Sequence, residues 1–264
     1  MPYYLNRLMI YPILVLTLAG VLWNDQAGAE EIPGQLDWSQ RVELGTPVSG
    51  IIQMINAEPG QQVKQGEVLL QLDQRGFKAK IDSLTANLKN LRAVRAEAKR
   101  ELERADVMYE RTLLSDHELQ VKKNEYIAAQ AAYEIGQAQL TLAKLNLEYS
   151  TIHAPFDAVV VLRHAEVGQT VISEMQPPEL LVVVGMDRMQ AIGNINIGQL
   201  AKVKLGQKAT VKTNGMTFNG KVTAIGLEPE SSSNANAPKY PISVTFSTGG
   251  KLLRAGQAAT IDLK

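Results

Sequence analysis

FKAKIDSLTANLKNLRAVRAEAKRELERADVMYERTLLSDHELQVKKNEYIAAQAAYEIGQAQLTLAKLNLE, residues 77–148, is the stretch that decides the fold. No proline lies between Pro59 and Pro155, and the only glycine between Gly76 and the end of this stretch is Gly136. Proline and glycine are the residues that most often interrupt a helix, so a run of this length with almost none of them is typical of long helices. The stretch therefore predicts helical structure, and the rest of the chain is organised around it.

Apolar side chains recur along this stretch in alternating steps of three and four residues. In the first half they are Phe77, Ile81, Leu84, Leu88, Leu91, Ala98, Leu102, Ala105 and Tyr109, with Arg95 as an interruption. In the second half they are Leu119, Tyr126, Ala129, Tyr133, Leu140, Ala143 and Leu147, with Lys122 and Gly136 as polar or small interruptions. This spacing places a narrow apolar stripe on each helix, which is the pattern of a helix packed on one partner helix.

A turn divides the stretch into two helices. Ser115 and Glu118 have the spacing of a capping box, in which each side chain bonds the backbone N–H of the other residue. The first helix is expected to end near Arg111–Leu114 and the second to start at Asp116. A helix of about 35 residues is roughly 50 Å long. Since a small core cannot bury stripes of that length, the two helices are predicted to form an antiparallel coiled-coil hairpin that projects from the rest, at residues 76–149.

The segments on either side of the hairpin repeat one another. GIIQMINAEPGQQV (50–63) aligns without gaps with AVVVLRHAEVGQTV (158–171), and Ala, Glu, Gly, Gln and Val are identical at five positions. Both segments contain short apolar runs between turn signals, as strands do. The repeat predicts two halves of one pseudo-symmetric β-sandwich, at residues 41–75 and 150–185, with the hairpin inserted between them.

Glycines mark the turns of this predicted sandwich. Gly60 and Gly168 occupy equivalent positions of the repeat, and Gly66 follows Gln65 at a further turn. Glycine is the residue that adopts a positive φ without steric cost, so a positive φ is expected at the paired turns. We therefore predict a structural role for these three glycines.

Residues 186–264 are predicted to form a second β-rich domain. Its strands are expected at Met189–Asn196, Ala209–Thr213, Thr217–Ile225, Ile242–Ser247 and Ala258–Leu263. A short helix fits Ile197–Val203, and Glu228–Lys239 is expected to be a polar loop. Five or six short strands with turn signals indicate a small β-barrel. Residues 30–40 are expected to be a linker, so the predicted fold class is α+β and elongated, with a split sandwich that carries the hairpin and precedes the barrel.

The composition and motifs argue against several kinds of function. The chain has 27 Lys and Arg against 27 Asp and Glu, and this balance argues against a nucleic-acid partner, which needs a basic surface. It has no cysteine, which excludes thiolate catalysis and cysteine metal sites. His117, His153 and His164 have no third ligand spaced with them, and Met186 and Met189 suit packing at a domain joint better than a soft metal. With no phosphate loop or nucleophile motif either, we expect no enzyme, metal or cofactor.

The first 29 residues have the pattern of a secretory signal. Arg7 precedes an apolar core from Leu8 to Trp23, and Ala27-Gly28-Ala29 is a small-x-small cleavage site. An uncleaved N-terminal anchor is the alternative, although an apolar run of about 16 residues is shorter than the roughly 20 that span a bilayer. Both interpretations place the rest of the chain outside the cytoplasm.

Two motifs that flank the hairpin carry a family resemblance. VSGIIQMINAEPGQQVKQGEVLLQLD (48–73) and LEYSTIHAPFDAVV (147–160) resemble the membrane fusion protein, or periplasmic adaptor, family of Gram-negative efflux and secretion systems. The resemblance implies that the two strand segments form a split lipoyl-like domain, and IGQLAKVKLGQKATV (197–211) resembles the β-barrel of that family. Ala158 departs from the family pattern, which usually has glycine there. We expect no membrane-proximal domain, which larger members build from their C-terminal tail.

A biotinyl or lipoyl carrier domain shares the half-repeat and is the alternative. Such a carrier presents a modified lysine at the turn that joins its two halves. Here the helical insertion, which begins near Asp73–Gly76, replaces that turn. The predicted export also separates the chain from cytoplasmic ligases, so we favour the adaptor.

The resemblance implies a contact site at the tip of the hairpin. Family members that meet an outer-membrane channel carry Arg, Leu and Ser at a spacing that here gives Arg104, Met108 and Ser115. The guanidinium offers several planar donors, and methionine is an adaptable apolar contact. This chain departs from the family by Met108 in place of leucine and by Thr112 where glycine is frequent. The competing interpretations are that Arg104 only pairs with a nearby glutamate and that Ser115 is only a cap.

The resemblance also implies partners and a location. The chain is expected to link an inner-membrane transporter, of the resistance–nodulation–division (RND) or the ATP-driven (ABC) type, to an outer-membrane channel. It is expected to form a homo-oligomeric ring in the periplasm, associated with the inner membrane through its partners or an uncleaved N-terminal segment. The alternative is a periplasmic scaffold or sensing protein that uses the same fold without a pump.

Overall fold

A computed structural model describes residues 31–173, 178–230 and 238–264 of the chain. The predicted signal or anchor at residues 1–29 lies outside the described residues, and so does the middle of the predicted polar loop, residues 231–237. No helix in the described part of the chain combines the length and the apolar character that crossing a membrane requires. The elements follow the order β1 (Glu31–Trp38), β2 (Arg41–Leu44), β3 (Gly50–Ile55), β4 (Gln62–Val63), β5 (Val68–Leu72), α1 (Arg75–Glu110), α2 (Asp116–Tyr149), β6 (Thr151–His153), β7 (Ala158–Arg163), β8 (Thr170–Val171), β9 (Leu181–Gly185), β10 (Arg188–Asn196), α3 (Ile197–Leu200), β11 (Lys208–Thr213), β12 (Met216–Ile225), β13 (Lys239–Ser247) and β14 (Ala258–Leu263).

Strands β2 to β9 form a sandwich in which each sheet takes strands from both halves of the repeat. One sheet has the order β2-β9-β7-β4 and the other has the order β6-β5-β3-β8. Each strand of the first half has an equivalent in the second, namely β2 and β6, β3 and β7, β4 and β8, and β5 and β9. Neither half can complete a sheet by itself, so the two halves fold only together. The split sandwich predicted from the repeat is confirmed.

The paired glycine turns connect the two halves. Gly60 and Gly168 have φ values of 90° and 88°, and Gly66 has a φ of 81°, in the left-handed region that favours glycine. The Gly60 N–H donates to the Val160 carbonyl at 2.8 Å, and the Gly168 N–H donates to the Ile52 carbonyl at the same distance. Each turn is therefore hydrogen-bonded to the opposite half of the repeat.

Other identical residues of the repeat also have the same role in both halves. Gln61 Oε1 accepts from the backbone N–H three residues earlier at 3.0 Å, and Gln169 Oε1 does the same at 2.9 Å. Ala57 and Ala165 are completely buried in the sandwich core. Residues that are identical in the two halves of the repeat therefore have the same turn geometry and the same packing.

The hairpin leaves the sandwich from two strands that are themselves paired. β5 and β6 are antiparallel neighbours, and the Leu72 N–H donates to the Ser150 carbonyl at 2.8 Å at the point where the helices begin. Gln74 Nε2 donates to the hydroxyls of Ser150 at 3.0 Å and Thr151 at 2.9 Å. From the loop after β2, Thr46 Oγ1 donates to the Tyr149 carbonyl at 2.7 Å. The base of the hairpin is therefore held by backbone and side-chain bonds on both helices.

A charged pair stabilises the start of α1. The Arg75 side chain donates to Asp73 at 3.0 Å and 2.6 Å, and its backbone N–H donates to Asp73 Oδ1 at 3.0 Å. These hydrogen bonds, the side-chain one first, lower the pKa of Asp73 from 3.8 to about 2. The carboxylate therefore stays charged at the positive end of the helix, where a negative charge is favourable.

Burial along the two helices follows the predicted stripes. The positions with the least exposure are Ala105 on α1 and Leu119, Gly136 and Ala143 on α2. Except for Tyr109, the remaining stripe positions are half-buried, which is expected for two helices that cover only one side of each other. A Cβ atom at Gly136 would lie 2.7 Å from Leu91 Cδ1 and 3.3 Å from Leu88 Cδ1, so the absence of a side chain there lets α1 approach.

Two seam positions of α1 differ from simple apolar contacts. The Arg95 guanidinium lies 4.4 Å from the centroid of the Tyr133 ring, so this interruption of the stripe makes a cation–π contact across the hairpin. The assignment of Tyr109 to the seam is wrong, because its side chain is 43% exposed. Tyr109 stands in the last turn of α1, next to the chain reversal, and α2 has no complete turn opposite it.

Strands β1 and β10 to β14 form the second domain, a closed barrel with the order β1-β10-β13-β12-β11-β14. Its core contains Ile195, Val211, Ile242, Val244 and Ile261, all fully buried. The helix α3 is shorter than the segment predicted for it. The small barrel predicted at residues 186–264 is present, but it is not formed by those residues alone.

The prediction of a linker at residues 30–40 is wrong, because Glu31–Trp38 is the first barrel strand. It pairs with β10 from Gly34 to Trp38 and with β14 from Glu31 to Gln35. Ile32 and Leu36 enter the barrel core. A Cβ atom at Gly34 would clash with the Ile192 carbonyl oxygen, so glycine allows β1 to lie against β10. The segment predicted as a linker therefore contains a strand whose partners are far away in sequence.

Gly136→Leu is expected to lower the free energy of unfolding by about 1–3 kcal/mol, because the new side chain must displace Leu88 and Leu91. Leucine also gains about 1 kcal/mol of helix propensity over glycine, so the loss reports packing. Denaturant unfolding followed by the helical circular-dichroism signal measures the change. Gln139→Leu, at an exposed site on the same helix, is the control and should be close to neutral. Equal stability of the two variants would show that Gly136 does not govern the approach of the helices.

Candidate functional site

The candidate site is the tip of the hairpin, where α1 ends and α2 begins. Its backbone is held by hydrogen bonds of the tip itself, without help from the sandwich. At the end of α1, the Thr112 N–H donates to the Tyr109 carbonyl at 2.8 Å and the Leu113 N–H donates to the Met108 carbonyl at 2.9 Å. This pair of bonds is a Schellman motif, which ends a helix with one left-handed residue. Thr112 is that residue, with a φ of 63°.

The left-handed threonine gives a physical reason for the glycine that the family often has at this position. A β-branched residue in this region of φ/ψ space is sterically disfavoured, by about 1–3 kcal/mol. The tip retains this conformation because the two backbone bonds and the cap that follows determine it from both sides. Sequence reasoning noticed the departure at Thr112 but not the conformation behind it.

Ser115 begins α2 with the predicted capping box. Ser115 Oγ accepts from the Glu118 N–H at 3.3 Å, while the Ser115 N–H donates to Glu118 Oε2 at 3.0 Å. The serine hydroxyl also donates to Glu118 Oε2 at 2.6 Å. The hydrogen bond from the Ser115 side chain, followed by the one from its backbone, lowers the pKa of Glu118 below its ordinary value.

Arg104 lies one to two turns before the end of α1 and is 64% exposed. Its Nη1 donates to Glu101 Oε1 at 2.5 Å, so the ion pair considered from the sequence is present. The same helix carries Arg100 paired with Glu97, and Lys99 paired with Glu103 at 3.6 Å. Exposed pairs of this kind contribute little to stability, because solvent screens the charges. Arg104 keeps further N–H donors that can contact a partner while the pair is intact.

Arg104 and Met108 line one cleft between the two helices, of about 360 Å³. Val121 and His117 line it from α2, and Ala105 is among the residues that line it from α1. Met108 is 44% exposed, and both helices contribute apolar and charged side chains to the lining of the cleft. Ser115 does not line the cleft. The structure thus brings Arg104 and Met108 together and leaves Ser115 beside them as the cap of α2.

Exposed apolar side chains extend around the tip. Leu113 is 68% exposed, and Val107, Tyr109 and Val121 are exposed as well. Sequence reasoning missed them as a group, although Leu113 and Val107 do lie off the heptad seam. An apolar cluster at the end of a rod with charged sides is the pattern of a contact surface.

A second apolar stripe runs along α2, outside the hairpin seam. It contains Ala128, Ala131, Ile135, Ala138, Leu142, Leu145 and Tyr149, again in steps of three and four residues. Ile135 is 59% exposed and Leu142 is 60% exposed, and Leu145 and Tyr149 are also exposed. These side chains do not face α1, because α2 uses its other stripe for that contact. This surface, called the lateral stripe below, was not predicted.

The residues considered for metal binding are distributed over the molecule. His117 is at the tip, His153 ends β6, and His164 follows β7 with Nε2 at 3.7 Å from Glu179 Oε1. Met189 is buried in the barrel core, and Met186 lies at the joint between barrel and sandwich. Among the described residues, no group of three or more His, Cys, Asp or Glu side chains is arranged to hold a metal ion.

Comparisons with known proteins agree with this architecture. Residues 40–184 match the family model described as "RND MFP, barrel-sandwich hybrid domain". The chain is 31% identical over 219 residues to the macrolide export protein MacA of Escherichia coli O157:H7, covering 76% of this chain and 59% of that relative. The chain thus spans less than two thirds of the length of this relative.

Two solved structures share the fold. The membrane fusion protein Spr0693 of Streptococcus pneumoniae R6 superposes with a TM-score of 0.69 at 17% identity, covering 89% of this chain and 98% of that chain. A MacA–MexA chimera that contains the Pseudomonas aeruginosa MexA α-hairpin domain superposes with a TM-score of 0.65 at 25% identity, covering 89% of this chain and 80% of that chain. Both matches extend over nearly the whole of the described chain.

The capping box predicts a pH dependence at the tip. The folded-state pKa of Glu118 is depressed, so the stability it contributes is fully present above its unfolded pKa, about 4.3, and is lost as pH falls through the folded value. Glu118→Gln keeps a capping side chain without a titrating group. The protection factors for amide hydrogen exchange in the first turn of α2, which correct for the slower intrinsic exchange in acid, should therefore fall on acidification in the wild type and much less in Glu118→Gln.

The control for this experiment is Glu148→Gln, at an exposed glutamate in the last turn of α2. In this variant, the first turn of α2 should respond to acid in the same way as in the wild type. The same acid response in wild type and Glu118→Gln would show that the cap does not depend on the carboxylate charge.

Proposed function

The chain belongs to the RND membrane fusion protein family, and from this premise we propose that it is a periplasmic adaptor, which links an inner-membrane transporter to an outer-membrane channel. The observation that carries the proposal is the hairpin: two helices of 36 and 34 residues that end in an exposed apolar tip. At about 1.5 Å per residue the rod is roughly 50 Å long. A rod with charged sides and an apolar end is suited to contacting a second protein at a distance.

The tip is the proposed contact with the channel. Arg104 offers guanidinium donors, Met108 and Leu113 offer apolar surface, and Ser115 holds the start of α2 so that these side chains have a fixed position. A planar guanidinium can bond backbone carbonyls or a carboxylate of a channel turn. The proposed role is mechanical and not catalytic.

The proposed location is the periplasm, in association with the inner membrane. The predicted signal or anchor segment supports export of the chain, and the name of the E. coli relative, a macrolide export protein, supports a role in efflux. The inner-membrane partner is proposed to be a transporter of the RND or the ABC type. The barrel, which is a separate domain from the hairpin, is the part proposed to meet it.

We also propose that several copies assemble side by side through the lateral stripe. The stripe from Ala128 to Tyr149 extends about 32 Å along α2. A narrow, straight apolar surface of this length fits another helix better than a globular partner. A second copy of the hairpin is such a partner, and repeated packing around an axis gives the ring.

Arg104→Asp is expected to abolish crosslinking to an outer-membrane channel, because a carboxylate would replace the proposed donor group. A photoreactive amino acid at Leu113, the most exposed apolar residue of the tip, captures the partner in cells, and mass spectrometry identifies it. Arg92→Asp makes the same change of charge on an exposed part of α1 away from the tip and should crosslink normally. Folding of each variant is checked by circular dichroism.

The same experiment distinguishes the adaptor from the alternative function. Capture of a channel by the wild type, lost in Arg104→Asp and kept in Arg92→Asp, supports the adaptor. A folded, exported wild type that captures no channel protein would favour a periplasmic scaffold or sensing protein instead.

Ile135→Glu/Leu142→Glu is expected to dissociate the assembly, because two carboxylates on the lateral stripe would have to be desolvated at the contact. Sedimentation velocity measures the mass of the particles. Gln130→Glu/Gln139→Glu adds the same charge to α2 outside the stripe and should leave the assembly intact. An unchanged assembly in the stripe variant would place the contact between copies elsewhere.

A further inference from the structure

The barrel carries a basic cleft that is separate from the hairpin. It lies across the outer wall from β10 through β13 and β12 to β11 and has a volume of about 660 Å³. Four cationic side chains line it, those of Arg188, Lys208, Lys221 and Lys264, and no acidic side chain does. The formal net charge of the chain is zero, so the positive charge of this cleft is a local excess.

None of these four side chains is within ion-pair distance of an acidic residue in the described parts of the chain. The contrast is Lys212 on the same strand as Lys208, whose Nζ lies 2.9 Å from Glu31 Oε1 and 3.6 Å from Asp262 Oδ2. Lys212 is therefore neutralised by acidic neighbours, whereas the lysines of the cleft are not.

Two of the cations oppose each other in the sheet. Lys208 on β11 is the direct cross-strand partner of Lys221 on β12. Like charges in this arrangement destabilise an antiparallel pair, and an anion between them would remove the penalty. Neutral partners would be the better choice if the only role of this wall were to close the barrel.

The floor of the cleft supplies space and neutral hydrogen-bonding groups. A Cβ atom at Gly220 would lie 2.8 Å from the Thr245 carbonyl oxygen and 2.9 Å from Val244 Cγ1, so β12 lies close against β13 at this point. The hydroxyls of Thr223 and Thr245 are 2.8 Å apart, and Asn219 and Ser247 are at the margins. Hydroxyl, amide, ammonium and guanidinium groups together are what binds the oxygens of a phosphate.

We propose that this cleft is a binding site for a phosphate-bearing anion. Arg188 provides the planar donor pair, and Lys208 and Lys221 provide the charge that the phosphate neutralises. The phosphate is either the headgroup of an anionic phospholipid or part of a small soluble ligand. The site does not depend on the proposed contact at the hairpin tip, because the two lie on different domains.

The experiment uses the full chain at low ionic strength, where interactions with exposed charges are least screened. Inorganic pyrophosphate, measured by calorimetric titration, probes a soluble ligand. Co-sedimentation with phosphatidylcholine vesicles, with and without phosphatidylglycerol, probes a headgroup. The wild type is expected to bind pyrophosphate, or vesicles only when they contain phosphatidylglycerol, and the arm that is positive identifies the source.

Lys208→Glu/Lys221→Glu is expected to weaken that binding by at least about tenfold, because charge-assisted hydrogen bonds are lost and repulsion is added. Lys202→Glu/Lys204→Glu, on the same domain and outside the lining of the cleft, should bind like the wild type. Lys208→Gln is a second variant that preserves the wall. Without the anion it should raise Tm by relieving the repulsion, and the anion should stabilise it less than it stabilises the wild type.

Three results would overturn the proposal. In the first, the wild type binds neither pyrophosphate nor phosphatidylglycerol vesicles. In the second, the cleft variant and the control variant lose binding equally. In the third, the Tm of Lys208→Gln without the anion is below that of the wild type.

Discussion

The pairing of β5 with β6 is the constraint on which the rest of the molecule depends. These strands belong to different halves of the repeat, yet they are neighbours in one sheet, and the bond between the Leu72 N–H and the Ser150 carbonyl closes the base of the hairpin. The two helices therefore leave the sandwich side by side. Because each sheet contains strands of both halves, this base cannot open without loss of the sandwich.

The direction of the hairpin and the position of its tip follow from this base. Small residues such as Gly136 let the helices approach, and Arg95 over Tyr133 adds a contact in the middle of the rod. At the far end the chain reverses through a left-handed Thr112 and a capped Ser115, which are set by local hydrogen bonds. The local hydrogen bonds thus determine the conformation of the tip, and the base determines its position.

Local patterns predicted the features that depend on local physics. The repeat predicted the sandwich and the turns at Gly60 and Gly168, and the capping box at Ser115 placed the start of α2. The failures concern long-range partners. EIPGQLDW was assigned to a linker because its partners β10 and β14 are remote in the chain. The lateral stripe has the same spacing as the seam of α2, so spacing alone could not show which of the two faces α1. The basic cleft was missed because it depends on cross-strand register, which spacing does not give.

The position of β1 in the barrel determines when the domains are able to fold. Glu31 pairs with Asp262, whereas the two helices of the hairpin are consecutive in the chain. Local contacts form fast and remote strand pairs form slowly. During synthesis the hairpin is complete well before the ribosome has made β14, and β1 must wait with its apolar side chains uncovered. The barrel is therefore the last part to close, when β14 becomes available to β1 and β11.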